Sequence, residues 1–391
     1  MKKLLLTFLC VMTAITSFAQ FQRGPVVVSP QFNGDGSITF RYRAPKAVSV
    51  QLSGDICPLK EIQTPQGVFN FPMPLDMKEG ANGIWEITIK DPTPDFHTYS
   101  FVVDGVTVLD PQNLSVARDG SRVSSKLIVP GEKSKNFVPA KNKGTLSKVW
   151  YDSPAYGVAR RMYVYTPYGY NPKSKEKYPV LYLQHGGGGD EDAWTTLGMA
   201  CEIMDNLIEK GLAKPMIVVM PNANPNQAAS PDVAAPLDMP GTFGIKMDDP
   251  AFHSGGPYVK SIVEDIIPFV ESHYNVIPKK SARAIAGLSM GGIYTLNVTT
   301  NYPDKFDYIG VLSMGFTPEK DAIKELAPVK KAGYKLYWIG CGKSDNAYPN
   351  TERLIKGLQD SKMEFINFDK VGGHTWDSWR TCLQEFAPLL F

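Results

Sequence analysis

Between residues 22 and 130, apolar and polar positions alternate in short runs, a pattern typical of half-buried β-strands. Such runs occupy residues 37–43, 48–52, 84–89 and 98–103. Asn, Asp and Gly cluster between the runs, as in Asp104-Gly105, and these residues favour turns. Short strands at this density predict a small all-β, immunoglobulin-like sandwich over residues 22–130. Residues 131–145 are polar and aperiodic, which predicts a linker.

From residue 146 onward, apolar runs alternate with helical periodicity. The eight apolar runs begin near Lys148, Ala159, Tyr178, Pro215, Ala282, Tyr308, Lys335 and Met363. Helical patterns include residues 197–210 and 258–273. This alternation predicts an α/β fold over residues 146–391, with a mostly parallel eight-stranded sheet covered on both faces. The aperiodic stretch 221–257 follows one apolar run, and we expect it to form one wall of a substrate pocket.

The first 19 residues have the features of a signal peptide. Lys2 and Lys3 precede a mostly apolar stretch, and Ser17 and Ala19 provide the small residues that signal peptidase requires. The apolar stretch is too short for a membrane span, and no later stretch is long and apolar enough. We therefore expect an exported protein, periplasmic or extracellular, with no membrane insertion.

Composition narrows the choice of partners. The chain has a formal net charge of +2, with 43% hydrophobic and 20% charged residues, which gives no reason to expect nucleic acid as a partner. Cleavage of the signal peptide leaves four cysteines, and their scattered spacing predicts no metal site. We expect no cofactor. Two states of Cys341 and Cys382 are consistent with the sequence: a disulfide between them, or two buried free thiols.

Residues 287–291 read G-x-S-x-G, with Ser289 between a short apolar run and a helical pattern. A serine on a tight strand-to-helix turn needs small neighbours, stands clear of the backbone and can attack an ester or amide carbonyl. The alternative is a glycine-rich turn whose serine only caps a helix. The flanking strand and helix favour Ser289 as a nucleophile.

A nucleophilic serine needs a base, and the base needs an orienting acid. His374 is the only histidine after Ser289, and it lies in a glycine-flanked loop after an apolar run. Asp345 lies in a loop after the buried run 335–340, in the order Ser, Asp, His expected for this fold. Asp369 and Asp377 are alternatives, but they lie very close to His374 along the chain.

The attacked carbonyl oxygen becomes negative and needs fixed N–H donors. Met290, the residue after the serine, is one candidate donor. Gly186 and Gly187 are candidates for the second, because they belong to a run of four glycines that follows His185 and the strand-like run 178–184. A phosphate loop would need Lys and Ser or Thr after the last glycine, whereas Asp190 and Glu191 stand there. We expect His185 to brace this loop.

Four segments together resemble carbohydrate esterase family 1, which includes feruloyl esterases and acetyl xylan esterases. They are residues 185–190, 287–292, 340–345 and 373–380. The resemblance covers about residues 146–391 and implies an α/β-hydrolase fold and a serine esterase acting on plant polysaccharide such as xylan. It also implies Ser289 as nucleophile, His374 as base and Asp345 as acid. The same motifs resemble siderophore (enterochelin-type) esterases and mycolyl transferases more loosely.

The N-terminal sandwich resembles the immunoglobulin-like module grouped as carbohydrate-binding module family 48. The matching residues are 99–105 and the pair Asp110-Pro111. Sugar-binding modules stack sugar rings on exposed aromatic residues, and Trp85 is the only tryptophan in this stretch. Its alternating position indicates a core residue, so we expect a packing or active-site-shaping role for the module.

Two tryptophans are candidate substrate contacts. Trp376 follows the proposed base and Trp194 follows the glycine run, so either ring could stack on an aromatic acyl group such as ferulate. Core packing is the alternative for both, and we expect Trp379 to pack the last helix against the sheet. We expect a secreted serine esterase that removes feruloyl or related hydroxycinnamoyl groups from plant cell-wall polysaccharide. The alternative functions are an acetyl xylan esterase, a siderophore esterase and a carbohydrate-binding protein whose hydrolase domain is inactive.

Overall fold

The computed structural model describes residues 26–64, 67–225, 227–230 and 256–391. The predicted signal peptide and most of the stretch 221–257 lie outside these residues, as does the pocket wall predicted for that stretch.

The chain divides into two compact units. The first contains the described residues of Met1–Leu59, Pro72–Thr93 and Tyr99–Leu114. The second contains those of Lys60–Phe71, Pro94–Thr98 and Ser115–Phe391. The sequence pattern suggested a boundary near residue 130, whereas the structure groups residues 115–130 with the second unit.

Short strands dominate the first 130 residues. They are β1 (Gln31–Phe32), β2 (Ile38–Arg43), β3 (Val50–Gly54), β4 (Leu59–Thr64), β5 (Gly67–Pro72), β6 (Leu75–Asp76), β7 (Lys78–Glu79), β8 (Ile84–Ile89), β9 (Phe96–Val103), β10 (Val106–Val108), β11 (Val116–Asp119) and β12 (Arg122–Ile128). In the first unit, β1, β2, β8 and β7 pair in that order, and β3 pairs with β6 and β9. All these pairs are antiparallel. The four alternating runs of the sequence fall on β2, β3, β8 and β9.

Apolar side chains of these strands form the core of the first unit. Ile38 and Phe40 of β2 and Leu52 of β3 have no exposed surface. Trp85 of β8 is also buried, and its indole N–H donates to the carbonyl of Ala44 at 3.1 Å. Trp85 is therefore a core residue rather than an exposed sugar platform.

The second unit is built on a sheet of eight strands. They are β13 (Thr145–Ser153), β14 (Val158–Thr166), β15 (Val180–Gln184), β16 (Ile217–Pro221), β17 (Arg283–Leu288), β18 (Tyr308–Leu312), β19 (Leu336–Gly340) and β20 (Ile366–Phe368). Their order is β13-β14-β16-β15-β17-β18-β19-β20. The pairs that involve β14 are antiparallel, and the other pairs in the sheet are parallel.

Helices cover this sheet on both faces. They are α1 (Ala193–Thr196), α2 (Ala200–Glu209), α3 (Gly256–Ser261), α4 (Ile267–His273), α5 (Met290–Asn301), α6 (Ala322–Ala332), α7 (Tyr348–Asp360) and α8 (Trp376–Phe386). A π-helical turn, Ile262–Ile266, joins α3 to α4. β15 shows why both faces are covered. Leu181 and Leu183 pack in one hydrophobic cluster, and Val180 and Tyr182 pack in another on the opposite face.

The parallel strands set the position of the loops that matter for function. Because β15, β17, β18, β19 and β20 are parallel neighbours, their carboxyl ends meet at one edge of the sheet. The loops after β15, β17, β19 and β20 carry the residues singled out above. Among the helices of the described residues, none is long and apolar enough to span a bilayer.

The segment between the last strand of the first 130 residues and β13 has no helix or strand. Ser134, Phe137 and Ala140 in it are nevertheless buried. The side chain of Asn136 donates to the side-chain oxygen of Gln384 at 2.7 Å. The irregular segment is thus packed into the second unit.

Candidate active site

Ser289 occupies a strained turn between β17 and α5. Its backbone angles are φ 52° and ψ −118°, a region that non-glycine residues rarely adopt. The backbone N–H of Ser289 donates to the carbonyl of Leu312 at 3.0 Å, which ties the turn to the end of β18. The side chain is thereby presented at the carboxyl edge of the sheet.

The glycines on either side of Ser289 are required by close approach. A Cβ on Gly287 would overlap the carbonyl of Gly291. A Cβ on Gly291 would lie 2.6 Å from the carbonyl oxygen of His185. The G-x-S-x-G pattern therefore records a turn packed directly against the glycine loop.

The structure brings His374 and Asp345 to Ser289. The His374 Nε2 atom lies 3.0 Å from the Ser289 hydroxyl oxygen, and Nδ1 lies 2.9 Å from Oδ1 of Asp345. Asp345 also accepts the backbone N–H of Ala347 at 2.8 Å. Since a carboxylate only accepts hydrogen bonds, Nδ1 carries the proton and the lone pair of Nε2 faces the hydroxyl.

Asp345 is kept ionised by its partners. Burial raises the pKa of this carboxyl, but the hydrogen bond and electrostatic interaction with His374, together with hydrogen bonds from Ser313 and the backbone N–H of Ala347, more than offset it, so the pKa lies below its ordinary value. The carboxyl side chain has no exposed surface, whereas that of His374 is 23% exposed. The acid is therefore hidden and the imidazole is accessible.

Other acids of the second unit lie in different surroundings. Asp369 pairs with Lys343 at 3.6 Å, near the surface. Asp377 lies in the first turn of α8. Asp265, before the serine, accepts the Ser153 hydroxyl at 2.6 Å. Among the described residues, Asp345 is the carboxylate hydrogen-bonded to Nδ1 of His374.

The glycine loop after β15 passes beside Ser289. A Cβ on Gly186 would lie 3.3 Å from Cβ of Ser289, whereas one on Gly187 would meet nothing within 4 Å. Gly187 therefore borders open space, where a substrate oxygen could approach its backbone. Met290 begins α5, and the first N–H groups of a helix have no partner within the helix.

His185 braces the start of this loop. Its Nδ1 donates to the carbonyl of Gly186 at 2.8 Å, because Nε2 accepts the backbone N–H of Ala223 at 2.7 Å. Burial lowers the pKa of His185 to about 4. A neutral, doubly hydrogen-bonded ring holds the loop in place and is not free to react.

Three tryptophans form a stack next to the imidazole. The Trp194 and Trp376 ring centroids are 5.3 Å apart, those of Trp376 and Trp379 are 5.2 Å apart, and Trp379 lies 5.0 Å from His374, all edge to face. Trp194 is 1% exposed, and its indole N–H donates to the carbonyl of Gln184 at 3.0 Å. Trp376 is partly exposed and so offers accessible surface, while buried Trp194 packs edge to face against it.

Sequence reasoning did not single out the ion pairs at the end of the glycine loop. Asp190 is fully buried and pairs with Arg118 of β11, with N–O distances of 2.7 and 3.2 Å. Glu191 is fully buried and pairs with Arg161 of β14 at 2.6 Å. The sequence signal for these ion pairs was the presence of two acids directly after the glycines. Acids that become buried require cationic partners elsewhere in the chain.

Cys341 and Cys382 are both buried free thiols, like Cys57, and Cys201 is a half-buried free thiol. The possible disulfide between Cys341 and Cys382 is therefore absent from the structure. Burial raises the pKa of Cys341 to about 12, which keeps this thiol protonated and unreactive.

Comparisons with known proteins give the site a context. The endo-1,4-beta-xylanase/feruloyl esterase of Xylanibacter ruminicola is 31% identical over 375 residues, covering 93% of this chain and 46% of that protein. The chain spans less than half the length of the curated relatives that it matches first.

Solved structures show the same fold. A ferulic acid esterase from Anaeromyces mucronatus in complex with ferulic acid has a TM-score of 0.55 and 23% identity, covering 72% of this chain and 98% of that chain. The enterobactin esterase of Shigella flexneri in the presence of enterobactin has a TM-score of 0.60 and 14% identity, covering 90% of this chain and 92% of that chain. Both of these proteins are esterases.

The model of one protein family matches residues 153–389, which is more than half of the chain. The match includes Ser289, Asp345 and His374. The description of the family is "Putative esterase". The chain therefore belongs to this esterase family.

Proposed function

We propose that this chain is a serine carboxylesterase that removes feruloyl or related hydroxycinnamoyl groups from plant cell-wall polysaccharide such as xylan. One observation carries the proposal. The Nε2 atom of His374 lies 3.0 Å from the Ser289 hydroxyl, while Nδ1 is held by the buried Asp345 at 2.9 Å. A serine, a base and an orienting acid in this arrangement are the machinery of acyl transfer.

In the proposed first step, the Ser289 oxygen attacks the ester carbonyl and its proton moves to Nε2 of His374. Asp345 stabilises the imidazolium that forms, without taking a proton itself. The carbonyl oxygen becomes negative and accepts N–H groups of Met290 and of Gly186 or Gly187. The C–O bond to the sugar then breaks, and His374 returns the proton to the leaving alcohol.

Water completes the cycle. It attacks the acyl-enzyme carbonyl and gives its proton to His374, and the second tetrahedral intermediate releases the acid as Ser289 regains a proton. Loss of one oxyanion donor in such a site costs about 3 kcal/mol of transition-state stabilisation. The glycine loop therefore matters to the proposed rate almost as much as the three side chains.

Two observations support an aromatic acyl group. The relative from Xylanibacter ruminicola carries feruloyl esterase in its name. The partly exposed Trp376 lies one tryptophan away from His374 and is backed by buried Trp194. A partly exposed indole so close to the base offers a flat apolar surface on which a hydroxycinnamoyl ring would pack.

A siderophore esterase is the second candidate. Its support is the likeness to the enterobactin esterase of Shigella flexneri, which extends over 90% of this chain, although 14% identity carries the fold alone. An acetyl xylan esterase and an inactive carbohydrate-binding protein are the other outcomes that the experiment below separates.

A panel of esters tests the proposal. Feruloylated xylan fragments, acetylated xylan fragments and a cyclic catecholate ester are offered to the wild-type protein and to Ser289→Ala. We expect the feruloylated fragments to have the highest kcat/KM, and Ser289→Ala to lower kcat at least about 10⁴-fold. A higher kcat/KM for acetylated xylan or for the catecholate ester would show that the acyl group is not feruloyl. Equal rates for Ser289→Ala and wild type would remove the proposed mechanism.

The role of Trp376 has its own test. We expect Trp376→Ala to lower kcat/KM for a feruloyl ester about tenfold or more, and for an acetyl ester much less, because only the aromatic group uses the indole surface. Trp150→Ala is the control, since Trp150 is a 45% exposed tryptophan on β13. Equal losses on both esters would assign Trp376 to packing.

Two further parts of the proposal rest on sequence. We propose that residues 1–19 direct export, which N-terminal sequencing of the secreted protein would test. We also propose that the module resembling carbohydrate-binding module family 48 contributes packing and not strong glucan binding, in keeping with buried Trp85. Tight binding of the protein to insoluble glucan, retained in a variant without esterase activity, would contradict this.

A further inference from the structure

We propose that Arg118 is a positioning residue that fixes the glycine loop, and hence its backbone N–H donors, through a buried ion pair with Asp190. The inference rests on the proposed function, because it concerns donors to the oxyanion of ester hydrolysis. Arg118 lies on β11, outside residues 153–389 that the family model matches, but within the same compact unit as Ser289.

All three guanidinium nitrogens of Arg118 donate hydrogen bonds to groups at or near the end of the glycine loop. Nη1 donates to Asp190 at 2.7 Å and to the carbonyl of Gly120 at 3.0 Å. Nη2 donates to Asp190 at 3.2 Å and to Asp192 at 3.1 Å, and Nε donates to Asp192 at 3.2 Å. Such a two-pronged pairing fixes direction as well as distance, which a lysine could not do.

The backbone around Arg118 also contacts the glycine loop and the helix that follows it. The N–H of Arg118 donates to the hydroxyl of Thr196 in α1 at 3.0 Å. Gly120 adopts φ +59° and lies so close to the carbonyl of Gly188 that a Cβ would collide with it. The β11–β12 turn thus contacts the glycine loop directly at Gly188, while Arg118 holds Asp190 two residues later.

A glycine loop needs such anchors. Glycine gains nothing from side-chain packing and has the largest backbone entropy to lose, so four in succession do not fix their own conformation. An oxyanion hole, however, works because its donors are already in place before charge develops. His185 fixes the start of the loop and Arg118 fixes its end. The N–H groups of Gly186 and Gly187 therefore lie in a loop that is anchored at both ends.

A second buried ion pair, between Glu191 and Arg161, lies next to Asp190 in the sequence. Glu191 accepts Arg161 Nε at 2.6 Å, the amide of Asn222 at 2.9 Å and the backbone N–H of Ser230 at 2.9 Å. Arg161 is too deeply buried for a clean functional test, because breaking such a pair strongly destabilises a fold. Arg118 is 13% exposed at its side chain, which makes it the better position for substitution.

The test compares Arg118→Gln and Arg118→Lys with a matched control. Arg283→Gln removes an arginine of similar burial, 11% exposed at its side chain, that pairs with Glu271. Arg283 is the first residue of β17, at the opposite end of that strand from Ser289. Each variant is assayed for kcat and KM on a soluble feruloyl ester, for unfolding in urea, and for the Ki of a trifluoromethyl ketone analogue whose adduct with Ser289 bears an oxyanion.

We expect Arg118→Gln to lower kcat about 10- to 100-fold with KM changed less than threefold, and to weaken the trifluoromethyl ketone by a similar factor. Arg118→Lys should recover only part of the loss, and Arg283→Gln should stay within threefold of wild type. Asp190→Asn added to Arg118→Gln should cost little more, because the two residues act as one pair.

The proposal is overturned if Arg118→Gln, folded by its urea transition, keeps kcat within threefold of wild type. It is also overturned if kcat falls while the Ki of the ketone does not rise, or if Arg283→Gln loses as much kcat. A wild-type protein that hydrolyses no ester would instead overturn the proposed function, so the two failures are distinct.

Discussion

Asp345 and His374 form the contact on which the proposed chemistry depends most at the level of single residues. With the carboxylate on Nδ1, the imidazole presents its lone pair to Ser289. Asn in place of Asp345 could offer an N–H to Nδ1 and stabilise the wrong tautomer, in which Nε2 carries the proton. We expect Asp345→Asn to lower kcat about 10⁴-fold with little change in KM.

The matched control for this substitution is Asp369→Asn. Asp369 was one of the two alternative acids in the sequence, and in the structure it pairs with Lys343 near the surface. Its substitution should leave kcat within about twofold of wild type. Kinetics with a soluble ester check both variants, and a large loss in Asp369→Asn with full activity in Asp345→Asn would reverse the assignment.

His185 links the glycine loop to the pH dependence of stability. Its folded pKa of about 4 lies below the ordinary value of 6.5, so the unfolded chain takes up the proton first as pH falls. The contribution of His185 to stability is therefore complete above pH 6.5 and is lost as pH falls towards 4. Two and a half pH units correspond to about 3 kcal/mol.

Urea unfolding of wild type and His185→Gln at several pH values measures this effect. Glutamine can still donate and accept hydrogen bonds but does not titrate. The free energy of unfolding of the wild type should fall by about 3 kcal/mol more than that of His185→Gln between pH 6.5 and 4. Parallel curves for the two proteins would show that the buried imidazole is not the titrating group.

The sequence singled out Ser289, His374 and Asp345, which the structure brings together, because chain order and local motif narrow the choice for each. It did not identify Arg118, which lies on an ordinary alternating strand 72 residues before its partner Asp190. Nor did it separate Trp194 from Trp376 as a substrate contact. Those distinctions depend on which side chains the tertiary fold buries, and local pattern carries no such information.

At the level of elements, the contact between α5 and the glycine loop explains the spacing of the motif. Gly291 in the first turn of α5 has the carbonyl of His185 where a Cβ would stand, at 2.6 Å. A backbone carbonyl cannot swing aside as a side chain can. We expect Gly291→Ala to lower the free energy of unfolding by about 1–3 kcal/mol, the usual cost of overpacking.

Gly187→Ala is the comparison for Gly291→Ala. An added Cβ at Gly187 meets nothing within 4 Å, and alanine restricts the unfolded chain, so stability should be unchanged or slightly higher. Chemical denaturation of the two variants gives the difference directly. Equal stability in the two proteins would mean that α5 can shift away from the loop at little cost.

Most elements of the second unit could be placed from periodicity. Apolar runs marked the strands because β15, β17 and β18 are buried on both faces and cannot alternate. The helical pattern over residues 258–273 corresponds to α3 and α4, but the π-helical turn between them has no sequence signature. The direction of strand pairing could not be predicted from the sequence either. The pairs β13–β14 and β14–β16 are antiparallel, in a sheet whose pattern predicted mostly parallel strands.

At the scale of the whole molecule, the reactivity of the cysteines measures both how well the fold buries them and whether any two are joined in a disulfide. Four thiols, Cys57, Cys201, Cys341 and Cys382, are free in the structure. Burial raises the pKa of Cys57 and Cys341 to about 12 and also raises those of Cys201 and Cys382. Because alkylation needs the thiolate, the folded protein should react very slowly at neutral pH.

Unfolding should expose all four thiols at once without any reductant. We expect iodoacetamide to add four carbamidomethyl groups in guanidinium to the chain that lacks residues 1–19, and close to none in buffer over the same time, as read by mass spectrometry. The native rate should follow global opening of the second unit for Cys341 and Cys382, since both lie in the core beneath the His374 loop, with no exposed surface. Two adducts without reductant and four with it, with Cys341 and Cys382 as the unmodified residues, would instead mean that these two cysteines are joined. The structure of the loop carrying Asp345 would then depend on an oxidising environment, and reductant should lower both stability and activity.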